Sequence, residues 1–131
     1  MIPVKGKYNS EIVEAVFAAL VTQGVRCMSK EGACTYGNLA GHHCAIGMLL
    51  PESNLALMAF SGGALELLKL GGEELGENEM WLRDNRGLIC TMQSMHDVPD
   101  QKSRLRYRIR LRDHYRIDSK SLDAWAEMGE E

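Results

Sequence analysis

Apolar positions recur along this chain with two different periods. Ile12, Val13, Val16, Phe17, Leu20 and Val21 fall three and four residues apart, the spacing of one helical face, with Asn9 or Ser10 as cap and Gly24 as stop. Leu88, Ile89, Met92, Met95 and His96 repeat that spacing, and Pro99 forbids continuation, so a helix is predicted from about Asp84 to His96. Asp118 or Ser119 caps a last helix carrying Leu122, Trp125 and Ala126. The second period is two. Arg104-Leu-Arg-Tyr-Arg-Ile-Arg-Leu-Arg112 alternates basic and apolar strictly, which by period alone is a strand with one arginine face.

The connecting regions are read from punctuation. Gly32, Gly37 and Gly41 break residues 25–44 into short pieces, and Cys34-Thr-Tyr36 and His42-His-Cys44 flank Gly37 to Gly41 as the arms of a small β-hairpin. Ala45 to Leu50 is apolar throughout and predicts a buried helical turn or two ended by Pro51. Asn54 to Phe60 and Gly63 to Leu70 predict two brief helices or one broken one. Gly71 to Glu79, with four glutamates, three glycines and no basic residue, predicts an exposed loop.

Composition supports one folded unit. The 131 residues are 45% apolar and 25% charged, outside the range of disordered chains and near the commonest size of a single domain. The expected fold is mainly α (α+β): a compact helical domain spanning 1–131 with a small two-stranded β-hairpin, and with flexible ends at 1–9 and 127–131. No signal peptide and no apolar run able to cross a bilayer is apparent, so a cytoplasmic location with no membrane contact is expected, and Cys27, Cys34, Cys44 and Cys90 are read as reduced thiols. Eight methionines fill either an irregular core or an adaptable surface, and a Met-rich face making a homodimer is one reading of them.

Charge is segregated. Lys102 to Arg116 holds seven bases and one acid, net +6, so the remainder of a chain with net charge −3 carries −9. A local arginine field attracts phosphates or acidic surfaces even on an anionic molecule, which makes Arg104, Arg106, Arg108, Arg110, Arg112 and Arg116 the candidate partner-binding residues, for an acidic protein or a nucleic acid. The alternative is that these arginines pair with the chain's own surplus carboxylates. Tyr107 and Tyr115 are the interleaved aromatics that would stack on bases.

Other constellations are sparser. Cys27, Cys34, His42, His43 and Cys44 supply enough ligand types for zinc but lack the Cys-x2–4-Cys knuckle of structural sites. Cys44 with His96 and an orienting Asp97 is the one thiol triad that can be named. His96-Asp97 also resembles the adjacent pair of the HD metal phosphohydrolases, with His42 or His43 and Asp113 or Asp118 in the remaining ligand roles. The competing reading has His96 closing a helix whose last carbonyls favour a cation. Spacing thus assigns no catalytic residue, metal or cofactor, and a small metal- or thiol-dependent hydrolase using His96 and Asp97 with Cys44 or an upstream histidine is the alternative to a binding protein.

Cys34-Thr-Tyr36, Cys44-Ala-Ile-Gly-Met48-Leu-Leu-Pro51 and Gln93-Ser-Met-His96-Asp97 together resemble a set of small proteins encoded by bacteriophages and prophages, over roughly Ser10 to Asp118. The resemblance implies a leading helix, a Cys-x-Tyr hairpin, a helix opened by Cys-Ala-Ile-Gly, and a helical tail after His-Asp. It therefore favours a helix over Gln101 to Tyr115, against the alternation. The function expected on these grounds is a non-enzymatic interaction protein of phage type that binds and modulates a host macromolecule, as an inhibitor of host defence or transcription.

Overall fold

The computed structural model describes residues 1–28, 36–38, 40–51, 63–69 and 75–128. Among these, the α-helices in chain order are α1 (Asn9–Gln23), α2 (Ala64–Leu67), α3 (Glu79–Asp84), α4 (Arg86–Asp97), α5 (Gln101–Asp113) and α6 (Lys120–Glu127), with 3₁₀ turns at Gly47–Leu49 and Gly76–Asn78. The fold is mainly helical.

α1 buries Ile12, Val13, Val16, Phe17 and Leu20, the stripe its period predicts, each worth about 1.5–3 kcal/mol of gross transfer energy. Gly24 ends it in the left-handed region at φ 81°, where its N–H donates to the Leu20 carbonyl at 2.9 Å. The start differs from expectation. Tyr8 occupies the cap position, and the Ser10 hydroxyl instead accepts from the Asp118 N–H at 3.1 Å, joining the entry of α1 to the entry of α6.

α6 packs on α1 and on α5, and α5 packs on α4. Ser119 caps α6 as expected, accepting from the Leu122 N–H at 3.1 Å. A second acceptor reaches this helix start from far away in sequence. Glu14 of α1 accepts from the Ser119 hydroxyl at 3.0 Å, the Ser121 N–H at 2.9 Å and the Ser121 hydroxyl. A carboxylate belongs where unpaired amides and the positive end of the helix dipole meet.

Ile2 and Val4 tie part of the amino-terminal segment to the core. The Ile2 N–H donates to the Met48 carbonyl at 2.8 Å, and buried Asn78 accepts from the Val4 N–H while donating to the carbonyls of Ile2 and Leu49. This same Asn78 corrects the expected exposed loop, whose described part, Leu75 to Glu79, is a 3₁₀ turn running into α3 with Leu75 and Asn78 buried. The Ala45 to Leu50 segment is buried as predicted, apart from partly exposed Met48, and contains the 3₁₀ turn.

The two-stranded hairpin is not present among the described residues, where Gly37 and His43 form an isolated antiparallel bridge. Asn38 turns the chain there, its side-chain oxygen accepting from the N–H groups of Ala40 and His42. Cys34 lies outside the described residues, as do Asn54 to Phe60 of the expected brief helices; α2 falls within the second, predicted over Gly63 to Leu70. No helix of the described residues is long and apolar enough to cross a membrane.

Candidate functional site

The alternating arginine segment is helical, and the reason lies at its entry. Pro99 follows the extended Val98, and Asp100 accepts from the Ser103 N–H at 2.9 Å, capping α5. Those donors from Ser103 hold the Asp100 carboxyl below its usual range, with a smaller contribution from Arg106. In a helix, alternation puts Leu105 with Ile109 on one side and Tyr107 with Leu111 nearly opposite, so apolar residues alone define no single buried face. The inward face of α5 is instead Arg104, Arg108 and Leu111, spaced four and three apart.

The candidate arginines are therefore divided. Arg104 is 2% exposed and does not belong to a solvent-facing surface. Its guanidinium donates to the carbonyls of Val98 (Nε, 3.1 Å) and Trp125 (Nη1, 3.2 Å) and lies over the Trp125 ring. Arg108 is partly buried and faces Asp123 of α6 at 3.8 Å. Arg112 pairs with its neighbour Asp113 at 3.3 Å. The physical cause is the 100° step of a helix, which cannot hold alternate residues on one side.

What remains outward is a narrower stripe. Lys102, Arg106 and Arg110 are exposed and follow one another at four-residue intervals, spanning about 12 Å of helix. Among the described residues, no carboxylate lies within ion-pair distance of these three or of Arg116. Arg106 and Arg110 form a ridge between two open grooves. One, of about 400 Å³, is completed by Ile109, Asp113, His114 and Tyr115; the other, of about 300 Å³, by Val98, Ser103 and Tyr107. Lys102, Ile109 and His114 were not singled out by the alternation, although the Lys-x3-Arg-x3-Arg spacing carries the stripe once the segment is helical.

No protein-family model, no curated protein and no solved structure matches the chain.

The second constellation is brought together, but as interior architecture. His96 is fully buried; its Nε2 accepts from the Cys27 N–H at 3.1 Å, so Nδ1 carries the proton and donates to Asp97 at 2.8 Å. Asp97 also accepts from the Gln93 side chain at 2.8 Å, and the Gln93 oxygen accepts from the Ile46 N–H at 3.1 Å. The Asp97 carbonyl accepts from Arg26 at 2.9 Å. The Gln93, His96 and Asp97 side chains thus staple the chain after α1 and the Cys44 turn onto α4.

Cys44 is equally committed. Its Sγ accepts from the Gly47 N–H at 3.2 Å, capping the 3₁₀ turn, and burial pushes its thiol well above the usual range. Gly47 is required because a Cβ there would stand 2.1 Å from the Tyr36 carbonyl oxygen. Burial first, with the Asp97 carboxylate adding to it, likewise raises the Tyr36 phenol. The His96–Asp97 half of the named triad is in place, but the Cys44 half is not: Nε2 of His96 is taken by the Cys27 N–H, and the Cys44 Sγ accepts from Gly47 instead. Cys27 donates its thiol to the His42 carbonyl at 3.2 Å. Among the described residues, no group of three or more His, Cys, Asp or Glu is arranged to hold a metal ion. Met92 and Met95 lie in the core, and Met80 is exposed.

Proposed function

We propose that this protein is a non-enzymatic interaction protein that binds an anionic macromolecule along the exposed side of α5. The observation that carries the reading is the stripe of Lys102, Arg106 and Arg110, solvent-facing and without a carboxylate partner among the described residues. Cations outside ion-pair distance of a carboxylate keep most of their field for a ligand, although Arg106 spends part of its own on Asp100. Arg112 and Arg116 are also exposed but lie off the stripe. The phage resemblance supports a host macromolecule as the partner, met in the cytoplasm, and modulation of that partner as the outcome.

The hydrolase alternative has less support. A general base or ligand needs a ring nitrogen able to reach substrate or metal, and His96 offers none in this arrangement. A nucleophilic thiolate needs a depressed pKa, whereas burial drives Cys44 the other way.

Retention of the purified protein on polyglutamate and polyphosphate resins at physiological salt tests the proposal. The wild type is expected to be held by at least one of them and the combined Lys102→Glu, Arg106→Glu, Arg110→Glu variant released from it. Equal retention of wild type and variant, or none of the wild type, would overturn the reading.

A further inference from the structure

We infer that the anionic partner of α5 is an acidic, amphipathic protein segment rather than a nucleic acid. This rests on the reading above and deepens it. Three features of the same surface carry the choice.

The first is the state of the rings. Sequence-tolerant nucleic-acid binding adds base stacking on open aromatic faces to phosphate contacts. Tyr107 and Tyr115 are partly buried against the core. Tyr115 is further held by its neighbours, with its hydroxyl so close to Gly87 that a Cβ there would stand 2.6 Å away, and with its ring edge-on to His114 at 4.7 Å. Each ring lines a groove but shows only part of its surface there, so neither offers a fully open face to a base.

The second is Ile109. It is 46% exposed and lines the larger groove between Arg106 and Arg110. An aliphatic side chain placed there gains contact area, which a phosphate backbone cannot supply. The third is electrostatic. The chain outside Lys102 to Arg116 carries −9, so a long polyanion would be repelled wherever it extends beyond the stripe. A short segment with carboxylates about one helical turn apart and a leucine or isoleucine between them matches a stripe of about 12 Å.

Fluorescence anisotropy at physiological salt separates the possibilities. The probes are a labelled peptide with glutamates at every fourth position and leucines between, the same peptide with serines for leucines, and single- and double-stranded oligonucleotides of equal charge. The wild type is expected to bind the leucine peptide at least about tenfold more tightly than either oligonucleotide. The Lys102→Glu, Arg106→Glu, Arg110→Glu variant should lose about tenfold or more of that affinity. Ile109→Ser, a change at an exposed position, should lose about fivefold for the leucine peptide and nothing for the serine peptide. Oligonucleotide binding as tight as the peptide's, abolished by the triple variant, would overturn this inference and leave the anionic-partner reading standing. Unchanged peptide affinity in Ile109→Ser would overturn it too. If no probe binds, both fall.

Discussion

Arg104 places its guanidinium carbon 4.2 Å from the centroid of the Trp125 ring and donates to the carbonyl of that same residue. A cation from the basic segment is thereby consumed in fastening α5 to α6. Trp125 also lies parallel to the His96 ring, at 6.0 Å between centroids, so the contact joins the arginine helix to the buried polar network of α4.

Replacing Arg104 should damage stability and spare binding. A lysine keeps the charge but not the planar fork that serves two carbonyls and a ring together, so Arg104→Lys is expected to cost about 1–2 kcal/mol. Arg104→Ala should cost about 3 kcal/mol, since it also strands those carbonyls and empties the contact. Urea titration measures both, and anisotropy with the acidic peptide on folded protein should show affinity within twofold of wild type.

His96 should be held in one tautomer by its two partners. Its Nδ1 proton, buried and bonded to Asp97, is expected as a slowly exchanging imidazole N–H signal in nitrogen-correlated NMR spectra. His96→Ala leaves the buried Cys27 N–H without its acceptor and should cost about 2–4 kcal/mol in a denaturant melt. A ring signal in fast exchange with water would contradict this assignment.

Acid should weaken the clasp between α1 and α6. Burial tends to raise the Glu14 carboxyl, but hydrogen bonds from the Ser121 hydroxyl and N–H, the Ser119 hydroxyl and the Lys120 N–H outweigh it, leaving Glu14 below its ordinary 4.5. A depressed carboxyl contributes stability that is fully present above the unfolded value and is lost as pH falls through the folded one. The thermal midpoint of Glu14→Gln should therefore lie below that of wild type at neutral pH, with the gap closing as pH drops below 4.5. A gap independent of pH would mean that the carboxylate form does not hold the helix start.

Gly47→Ala tests how closely the Cys44 turn meets the Tyr36 strand of chain. With backbone oxygen only 2.1 Å from the new Cβ, the contact can be relieved only by moving one segment off the other. A loss of about 3 kcal/mol or more is expected from denaturant unfolding. Near-neutral behaviour would show that the two segments are not packed this way.

Several elements were legible in the residues alone because their signals are local. The apolar stripe of α1, its glycine stop, the end of α4 before Pro99 and the Ser119 cap each involve positions within a few residues, where period and side-chain reach suffice. The +6 segment was legible as charge and therefore as a candidate site. Its geometry was not, because strict alternation fits a strand while a cap by Asp100 and packing between α4 and α6 select a helix.

Tertiary structure alone decided which cations face water. Arg104 turns inward because carbonyls of Val98 and Trp125 are there to receive it, and His96 is a staple because an N–H from 69 positions earlier meets its ring. A buried charge or imidazole is tolerated only where partners satisfy it, and those partners come from parts of the chain that local pattern cannot relate. Sequence by itself determined that this chain has a helical core and a cationic stretch; the packing of α4, α5 and α6 determined that Arg104 turns inward and that Lys102, Arg106 and Arg110 line up along one exposed side.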